Sequence, residues 1–153
     1  MAYNKILVPF DGSIPSKNAL KEAVDLAKQS KGTIFLLYVV QEISLPPHFD
    51  YGLKMGHIKT SKEHLKEIYH EAKERAAKLL QENKKKYENG INIETQTLYG
   101  NTIEKILGFI KTNKIDITVI GTTSRTGISK LITLGSIARK VAEQSPRPVL
   151  LVH

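Results

Sequence analysis

Short apolar segments alternate along this chain with longer segments whose apolar residues recur at helical spacing. Most of the short segments are apolar at consecutive positions and rich in β-branched residues, which is typical of strands buried on both faces of a parallel sheet. The segment from residue 91 instead alternates apolar and polar residues, so we expect it to be half exposed. The pattern predicts five strands, at residues 5–10, 33–40, 91–99, 115–120 and 146–153.

The helical segments begin and end at residues that favour helix boundaries. Proline is tolerated in a first turn, glycine commonly follows a last turn, and an asparagine three residues before a glutamate resembles a capping box. These signals predict four helices: one between Pro15 and Gly32, one from about Ile58 to Asn89, one after Asn101 and one that begins at Ser136.

Strands and helices therefore alternate as βαβ, βα, βα, β along one domain that spans residues 1–153. This order predicts an α/β fold, a doubly wound, Rossmann-like parallel sheet of five strands flanked by four helices. If the strand order is 3-2-1-4-5, the segments after strands one and four flank the point where the order reverses, which is where such sheets bind ligands. Those segments begin at Asp11-Gly12 and at Gly121.

Residues 41–57 have no periodicity and contain Pro46-Pro47, Gly52 and Gly56. A connection of this length in a compact domain is often functional, for example as a lid over a site. A variable surface insertion accounts for it equally well.

Composition narrows the class of protein. The chain has 153 residues, 41% hydrophobic and 25% charged, which is typical of a globular domain, and no apolar run approaches membrane-spanning length. A strand-like segment begins at Lys5, so we expect no signal peptide and a cytoplasmic location. The chain has no cysteine, which excludes disulfides and thiol chemistry.

The net charge of +8 comes mostly from dispersed lysines. The one tight cluster, at residues 84–86, is near a predicted helix end, where cations interact favourably with the helix dipole. Lysines without interleaved arginines and aromatic residues are a poor signature of nucleic-acid binding. We therefore interpret the cluster as a solvated helix face and predict no nucleic-acid partner and no membrane partner.

The stretch from Gly121 to Ser136 carries the candidate chemistry. It is a polar, glycine-containing segment between a strand and a helix, with hydroxyls at Thr122, Thr123 and Ser124 as well as at Ser136. Such a loop suits an anion, because glycines allow close backbone approach and N–H groups at a helix start point toward negative charge. It is not a Walker A loop, since no Gly-Lys-Ser/Thr occurs in the chain. A surface loop with a glycine turn and a serine cap is the alternative.

The residues at both ends of the chain resemble the universal stress protein family. The matching segments are residues 8–13, Val-Pro-Phe-Asp-Gly-Ser, the pairs at 120–121 and 135–136, and residues 148–152. Members of that family that bind ATP carry a motif of Gly, two residues, Gly, nine residues, Gly, then Ser or Thr. This chain departs from it, because Ser124 replaces the second glycine and ten residues rather than nine precede Gly135.

The resemblance implies that the chain binds ATP or another adenine nucleotide, whose phosphates Mg²⁺ often accompanies; the sequence assigns no metal ligand. Asp11 would lie near the adenine and ribose, with Pro9 lining the pocket. Val39 would contact adenine through its backbone, and Ile120 would border the base or ribose. Gly121 would let the backbone approach ribose and phosphates. The phosphate contacts would come from Ser124, Gly135, Ser136 and Ile137. A structural role is the alternative for several of them: Asp11 as a turn residue, Val39 as a core residue and Ser136 as a helix cap.

No catalytic residues are predicted, because no base or nucleophile is recognisable beside the glycine loop; at most, slow ATP hydrolysis is expected. The resemblance further implies a role in stress response or signalling and a homodimer formed through the C-terminal strand. Val149–Val152 is continuously apolar at a predicted sheet edge, which independently favours pairing with a second copy. The alternative function is a dimeric stress or interaction protein that needs no nucleotide.

Overall fold

The computed structural model describes residues 3–42, 59–122 and 134–153. Within those ranges five strands and four helices alternate, which confirms the predicted α/β fold. They are β1 (Lys5–Pro9), α1 (Ile14–Ser30), β2 (Thr33–Gln41), α2 (Lys59–Tyr87), β3 (Asn92–Gly100), α3 (Thr102–Thr112), β4 (Ile117–Gly121), α4 (Ser136–Gln144) and β5 (Val149–Val152). Most of the predicted 41–57 connection lies outside the described residues, as do Ser124 and the rest of 123–133.

The five strands form one parallel sheet in the order β3-β2-β1-β4-β5, as predicted. β1 lies at its centre, with Ile6 opposite Ile34 of β2 and Ile117 of β4. The chain leaves β1 toward β2 on one side and reaches β4 on the other. The strand order therefore reverses between β1 and β4, and a crevice is expected at their carboxyl ends.

The last strand differs from its predicted bounds for a clear physical reason. It begins at Val149 rather than 146, because Pro146 and Pro148 have no N–H to donate to the ladder; Pro148 contributes its carbonyl to Thr118 instead. Helix α1 ends before Gly32, as predicted, and the left-handed residue at its end is Lys31, with φ 56°. Gly32 is required for space, since a Cβ there would be 2.6 Å from the Tyr3 carbonyl oxygen.

Helices cover both faces of the sheet. One buried cluster joins the sheet to α1 and α2, and a second joins it to α3 and α4. Each fully buried Leu or Ile contributes about 1.5–3 kcal/mol by its removal from water. The first cluster includes Ile6, Val8, Leu20, Ile34, Leu80 and Val119, and the second includes Leu7, Leu37, Ile106, Ile110, Ile120 and Val141. Sandwiched in this way, the sheet holds the carboxyl ends of β1, β2 and β4 in fixed positions.

The two edges of the sheet differ in character. β3 has the half-exposed pattern predicted for it, with Ile93 buried between exposed Asn92 and Glu94. At the other edge β5 is short and apolar, and Leu150 is 37% exposed. No helix among the described residues is long and apolar enough to cross a membrane.

Candidate functional site

A cavity of about 650 Å³ opens at the carboxyl edge of the sheet. This volume is in the range of small-molecule and cofactor sites, about 300–1,000 Å³. The carboxyl ends of β1, β2 and β4 form its base, and the first residues of α1, α3 and α4 form its walls. The cavity therefore lies where the reversal of strand order predicted it.

Eight of the nine predicted site residues line this one cavity, and the ninth, Ser124, lies outside the described residues. The eight come from four separate segments of the chain, at the ends of β1, β2 and β4 and at the start of α4. They are Pro9, Asp11, Val39, Ile120, Gly121, Gly135, Ser136 and Ile137. Their convergence is a fact of the fold; what each of them binds stays a prediction.

Asp11 has a structural role as well as a position in the cavity. Its Oδ1 accepts a hydrogen bond from the Ser13 N–H at 2.9 Å, which closes a turn through Gly12, where φ is +81°. The turn places Ser13 as the N-cap of α1, where its Oγ accepts from the Ser16 N–H at 3.3 Å. The side chain is exposed at the cavity, so the turn and a ligand can share the same carboxylate.

Gly121 is explained by packing inside the protein. A Cβ at this position would be 2.6 Å from the Pro15 carbonyl carbon and 2.7 Å from the Pro15 Cβ and carbonyl oxygen. The close backbone approach that only glycine permits here is therefore an approach of α1 to the end of β4. Gly121 still lines the cavity, but ligand contact is not needed to account for the residue.

Thr122, directly after β4, forms hydrogen bonds with the end of β5 and with Gly135. It is 3% exposed, and its N–H donates to the Val152 carbonyl at 2.8 Å. Its carbonyl accepts from the Gly135 N–H, and its Oγ1 lies 3.2 Å from His153 Nδ1. Residues 122 and 135, which bracket the loop, are therefore fixed beside each other at the cavity wall.

The start of α4 is the most polar part of the wall. Gly135 is its N-cap, at φ −56° and ψ 146°, and makes no side-chain capping hydrogen bond. Ser136 is the first helical residue, so the alternative interpretation of Ser136 as the cap is wrong. Because Ser13 caps α1 and Asn101 caps α3, α4 is the helix at this cavity whose first N–H groups have no side-chain cap from the described residues. Such groups favour an anion.

Sequence analysis did not identify two further polar residues that line the cavity. Gln41, at the end of β2, and Thr102, in the first turn of α3, also line it. Both follow the carboxyl end of a strand, and that position alone could have indicated them. Asp11 is the one carboxylate among the described lining residues, and the described parts of the chain contain no group of three His, Cys, Asp or Glu suited to a metal.

Comparison with known proteins gives a consistent result over the whole chain. A family model of the universal stress protein family matches residues 2–153. Universal stress protein MJ0531 of Methanocaldococcus jannaschii is 33% identical over 153 residues, covering 98% of this chain and 82% of that protein. Universal stress protein YxiE of Bacillus subtilis is 32% identical over 152 residues, covering 99% of each. The solved structure of MJ0577, also from M. jannaschii, is 26% identical with a TM-score of 0.81, covering 99% of this chain and 96% of that one.

Three further solved structures contain nucleotides. They are a universal stress protein in complex with cAMP, one from Archaeoglobus fulgidus with dAMP and one from Arabidopsis thaliana with AMP. Their identities to this chain are 22%, 20% and 18%, and their TM-scores are 0.65, 0.63 and 0.64. They cover 100%, 100% and 97% of this chain, and the matches cover 98%, 100% and 90% of theirs. At these identities the likeness shows the shared fold.

Proposed function

This chain belongs to the universal stress protein family, and we propose that it binds ATP, or another adenine nucleotide, in the cavity at the carboxyl edge of its sheet. The observation that carries the proposal is the convergence of Asp11, Val39 and Gly135 with an uncapped helix start around one cavity of suitable size. The nucleotides in structures of other universal stress proteins support the same ligand class.

The polarity of the wall gives the ligand an orientation. The phosphates lie at the start of α4, where Ser136 and Ile137 contribute uncapped N–H groups and Ser136 adds a hydroxyl. The base lies toward β2, with Val39 beside it and Ile120 beneath the base or ribose. Asp11 is between these ends and accepts a ribose hydroxyl or a base N–H through the oxygen that the turn leaves free.

Mg²⁺ is compatible with this site only as a companion of the phosphates. Mg²⁺ requires about six oxygen ligands and commonly keeps several waters while contacting one or two carboxylates and substrate phosphates. Asp11 is the one carboxylate that the described wall offers. We therefore propose that phosphate oxygens and water hold any Mg²⁺, and that hydrolysis, if present, is slow for want of a positioned base.

Calorimetry with ATP and Mg²⁺ tests the proposed site. We expect saturable binding to the parent chain and none to Gly135→Leu, because the leucine side chain would occupy the phosphate end of the cavity. The backbone at Gly135 has dihedral angles that other residues also adopt, so the leucine needs no unusual backbone conformation. Gly108→Leu, on an exposed helix face with nothing within 4 Å of its Cβ position, is the matched control.

Equal affinity in Gly135→Leu and the parent would remove this site from consideration. Absence of ATP, ADP and AMP binding by a folded parent chain would favour the alternative, a stress or interaction protein that needs no nucleotide. Ser124→Gly restores the second glycine of the family's motif and leaves the longer spacing unchanged, so tighter ATP binding by this variant would indicate that the serine weakens phosphate binding.

We further propose that the protein acts in stress response or signalling as a homodimer paired through β5. That strand is at the sheet edge, and its Leu150 side chain is 37% exposed, so antiparallel pairing with a second copy would satisfy the edge and cover the leucine. Leu150→Lys should convert a dimer to a monomer in sedimentation experiments. Gln96→Lys, at an exposed position of the opposite edge strand, should not. A monomeric parent would contradict the proposed dimer.

A further inference from the structure

A second cavity, of about 260 Å³, lies between α1 and the last turns of α2. We refer to it as the lysine crevice, because Lys17 and Lys21 of α1 and Lys86 of α2 line it together. No carboxylate is among the described residues that line the crevice. Three positive charges from two helices therefore face one concave space without a negative charge in its wall.

The positions of these lysines are unfavourable for the folded chain by itself. Lys17 and Lys21 are one turn apart on α1, where like charges repel. Lys17 is the fourth residue of that helix, near its start, where the helix dipole disfavours a cation. None of the three lysines forms an ion pair within the described parts of the chain. The dipole accounts for Lys86, in the last turn of α2, but not for the other two.

The floor of the crevice contributes a buried hydrogen-bond donor. Asn83 is 4% exposed, and its Nδ2 donates to the Leu79 carbonyl of its own helix at 2.8 Å. An amide nitrogen carries two hydrogens, so this one has the capacity for a second hydrogen bond to an acceptor. Tyr87 and Asn18 complete the polar wall. A buried amide donor among three ammonium groups is an arrangement that an anion can satisfy.

The size and the donors indicate the class of anion. At about 30 Å³ per water in the liquid, the crevice has room for about eight waters, more than a single halide requires. Lysine ammonium groups are common phosphate ligands, acting as compact point charges. We propose that the lysine crevice is a second anion site of this protein and binds a small phosphate-bearing ligand, either free phosphate or pyrophosphate or the phosphates of a nucleotide.

The lysine crevice is separate from the nucleotide cavity, although both adjoin α1. Ser13, Pro15 and Ser16 line the nucleotide cavity, whereas Lys17 and Lys21 line the crevice. The two cavities therefore lie on different sides of one helix. A ligand in the crevice does not depend on the proposed ATP site, and the two can be tested independently.

Pyrophosphate is the probe, and its binding is measured in the Gly135→Leu background, which closes the phosphate end of the nucleotide cavity. Titration at constant ionic strength, followed by NMR through the Asn83 side-chain amide, should show saturable binding. The triple variant Lys17→Gln, Lys21→Gln, Lys86→Gln should bind at least tenfold more weakly. In phosphate-free buffer it should unfold at the same temperature as its background or a higher one, because charge repulsion is relieved.

The matched control is Lys66→Gln, Lys73→Gln, Lys78→Gln in the same background, which removes the same charge from exposed positions of α2. It should keep the affinity of its background. An equal loss of pyrophosphate affinity in both triple variants would mean that the anion responds only to the net charge of the protein. An Asn83 amide signal that does not shift during the titration would mean that no anion enters the crevice. Either result overturns the proposal. A parallel titration with ATP distinguishes the ligand's source, since binding of pyrophosphate alone indicates a free anion and binding of both indicates any accessible phosphoryl group.

Discussion

Gly121→Ala should destabilise the fold, whether or not a ligand is bound. The added Cβ would lie 2.6–2.7 Å from three atoms of Pro15, two of them backbone atoms, whereas ordinary contacts are 3.4–4 Å. The closest distance must therefore widen from 2.6 Å to at least 3.4 Å. Because a side-chain rotation cannot provide this, the start of α1 must shift away from the end of β4.

The loss of stability caused by this shift depends on the residues that α1 buries against the sheet. Six residues of the helix, including Ala19, Leu20 and Val24, are buried against the sheet, so a shift at Pro15 disturbs packing beyond the contact itself. Overpacking of this kind typically costs about 1–3 kcal/mol. In a chain of this size each kcal/mol lowers the melting temperature by about 2–4 °C, so we expect a decrease of roughly 2–12 °C.

Urea unfolding of the ligand-free variant measures the effect, with Gly108→Ala as the matched control. Nothing lies within 4 Å of a Cβ at Gly108, which is in the middle of α3, so alanine there should raise the unfolding free energy by about 0.5–1 kcal/mol. The same substitution should thus have opposite signs at the two glycines. If Gly121→Ala keeps the parent's stability but loses ATP affinity, Gly121 is reserved for the ligand, and our packing argument is wrong.

Three further substitutions test other parts of the structure. Thr118 is fully buried in β4 and its Oγ1 has no hydrogen-bond partner within the described residues, so Thr118→Val should raise the unfolding free energy by about 1 kcal/mol. Thr122→Val, which removes a buried hydroxyl paired with His153, should lower it by about 0.5–1.5 kcal/mol; equal effects of the two valines would contradict this. A hydrogen bond with Tyr69, then burial, then the charges of Tyr69 and Glu42 raise the pKa of Tyr99 to about 12, so Tyr69→Phe should lower that pKa toward 10.0 in a spectroscopic titration. Because the folded pKa is the higher one, this pair stabilises the fold fully below pH 10 and loses its contribution as pH rises toward 12, and Tyr69→Phe should reduce that contribution.

The order of the sheet could be predicted because hydrophobic periodicity and chain connectivity are local properties. Apolar runs such as Thr33–Val40 and the helical stripe of α1 each identify one element, and right-handed crossovers restrict how such elements are arranged. The carboxyl-edge rule then brought Asp11 and Gly121 to the same cavity, and the family resemblance added Val39. The error at the start of the last strand came from Pro146 and Pro148, whose missing N–H groups the apolar pattern does not record.

Contacts between distant segments could not be predicted in the same way. Gly121 is required by Pro15, more than a hundred residues earlier, and nothing local to the glycine loop indicates that neighbour. Lys17 and Lys86 likewise belong to separate helices, and each is an ordinary surface lysine until α1 and α2 are packed side by side. The interpretation of residues 84–86 as a solvated helix face was therefore incomplete for Lys86, because that interpretation considered one helix at a time.

The helices around the cavity at the carboxyl edge differ in how their first N–H groups are capped. The fold alone brings the starts of α1, α3 and α4 to the same edge, and each start would attract an anion if its N–H groups were free. Ser13 and Asn101 satisfy such groups in α1 and α3 with their own side chains, whereas Gly135 has no side chain to do so in α4. Of the three helices, α4 is thus the one whose N-cap residue makes no side-chain hydrogen bond, which favours it as the anion-binding start in our proposal. An engineered Gly135→Asp cap would satisfy the α4 N–H groups and add a negative charge, so it should weaken ATP binding more than the neutral cap Gly135→Asn.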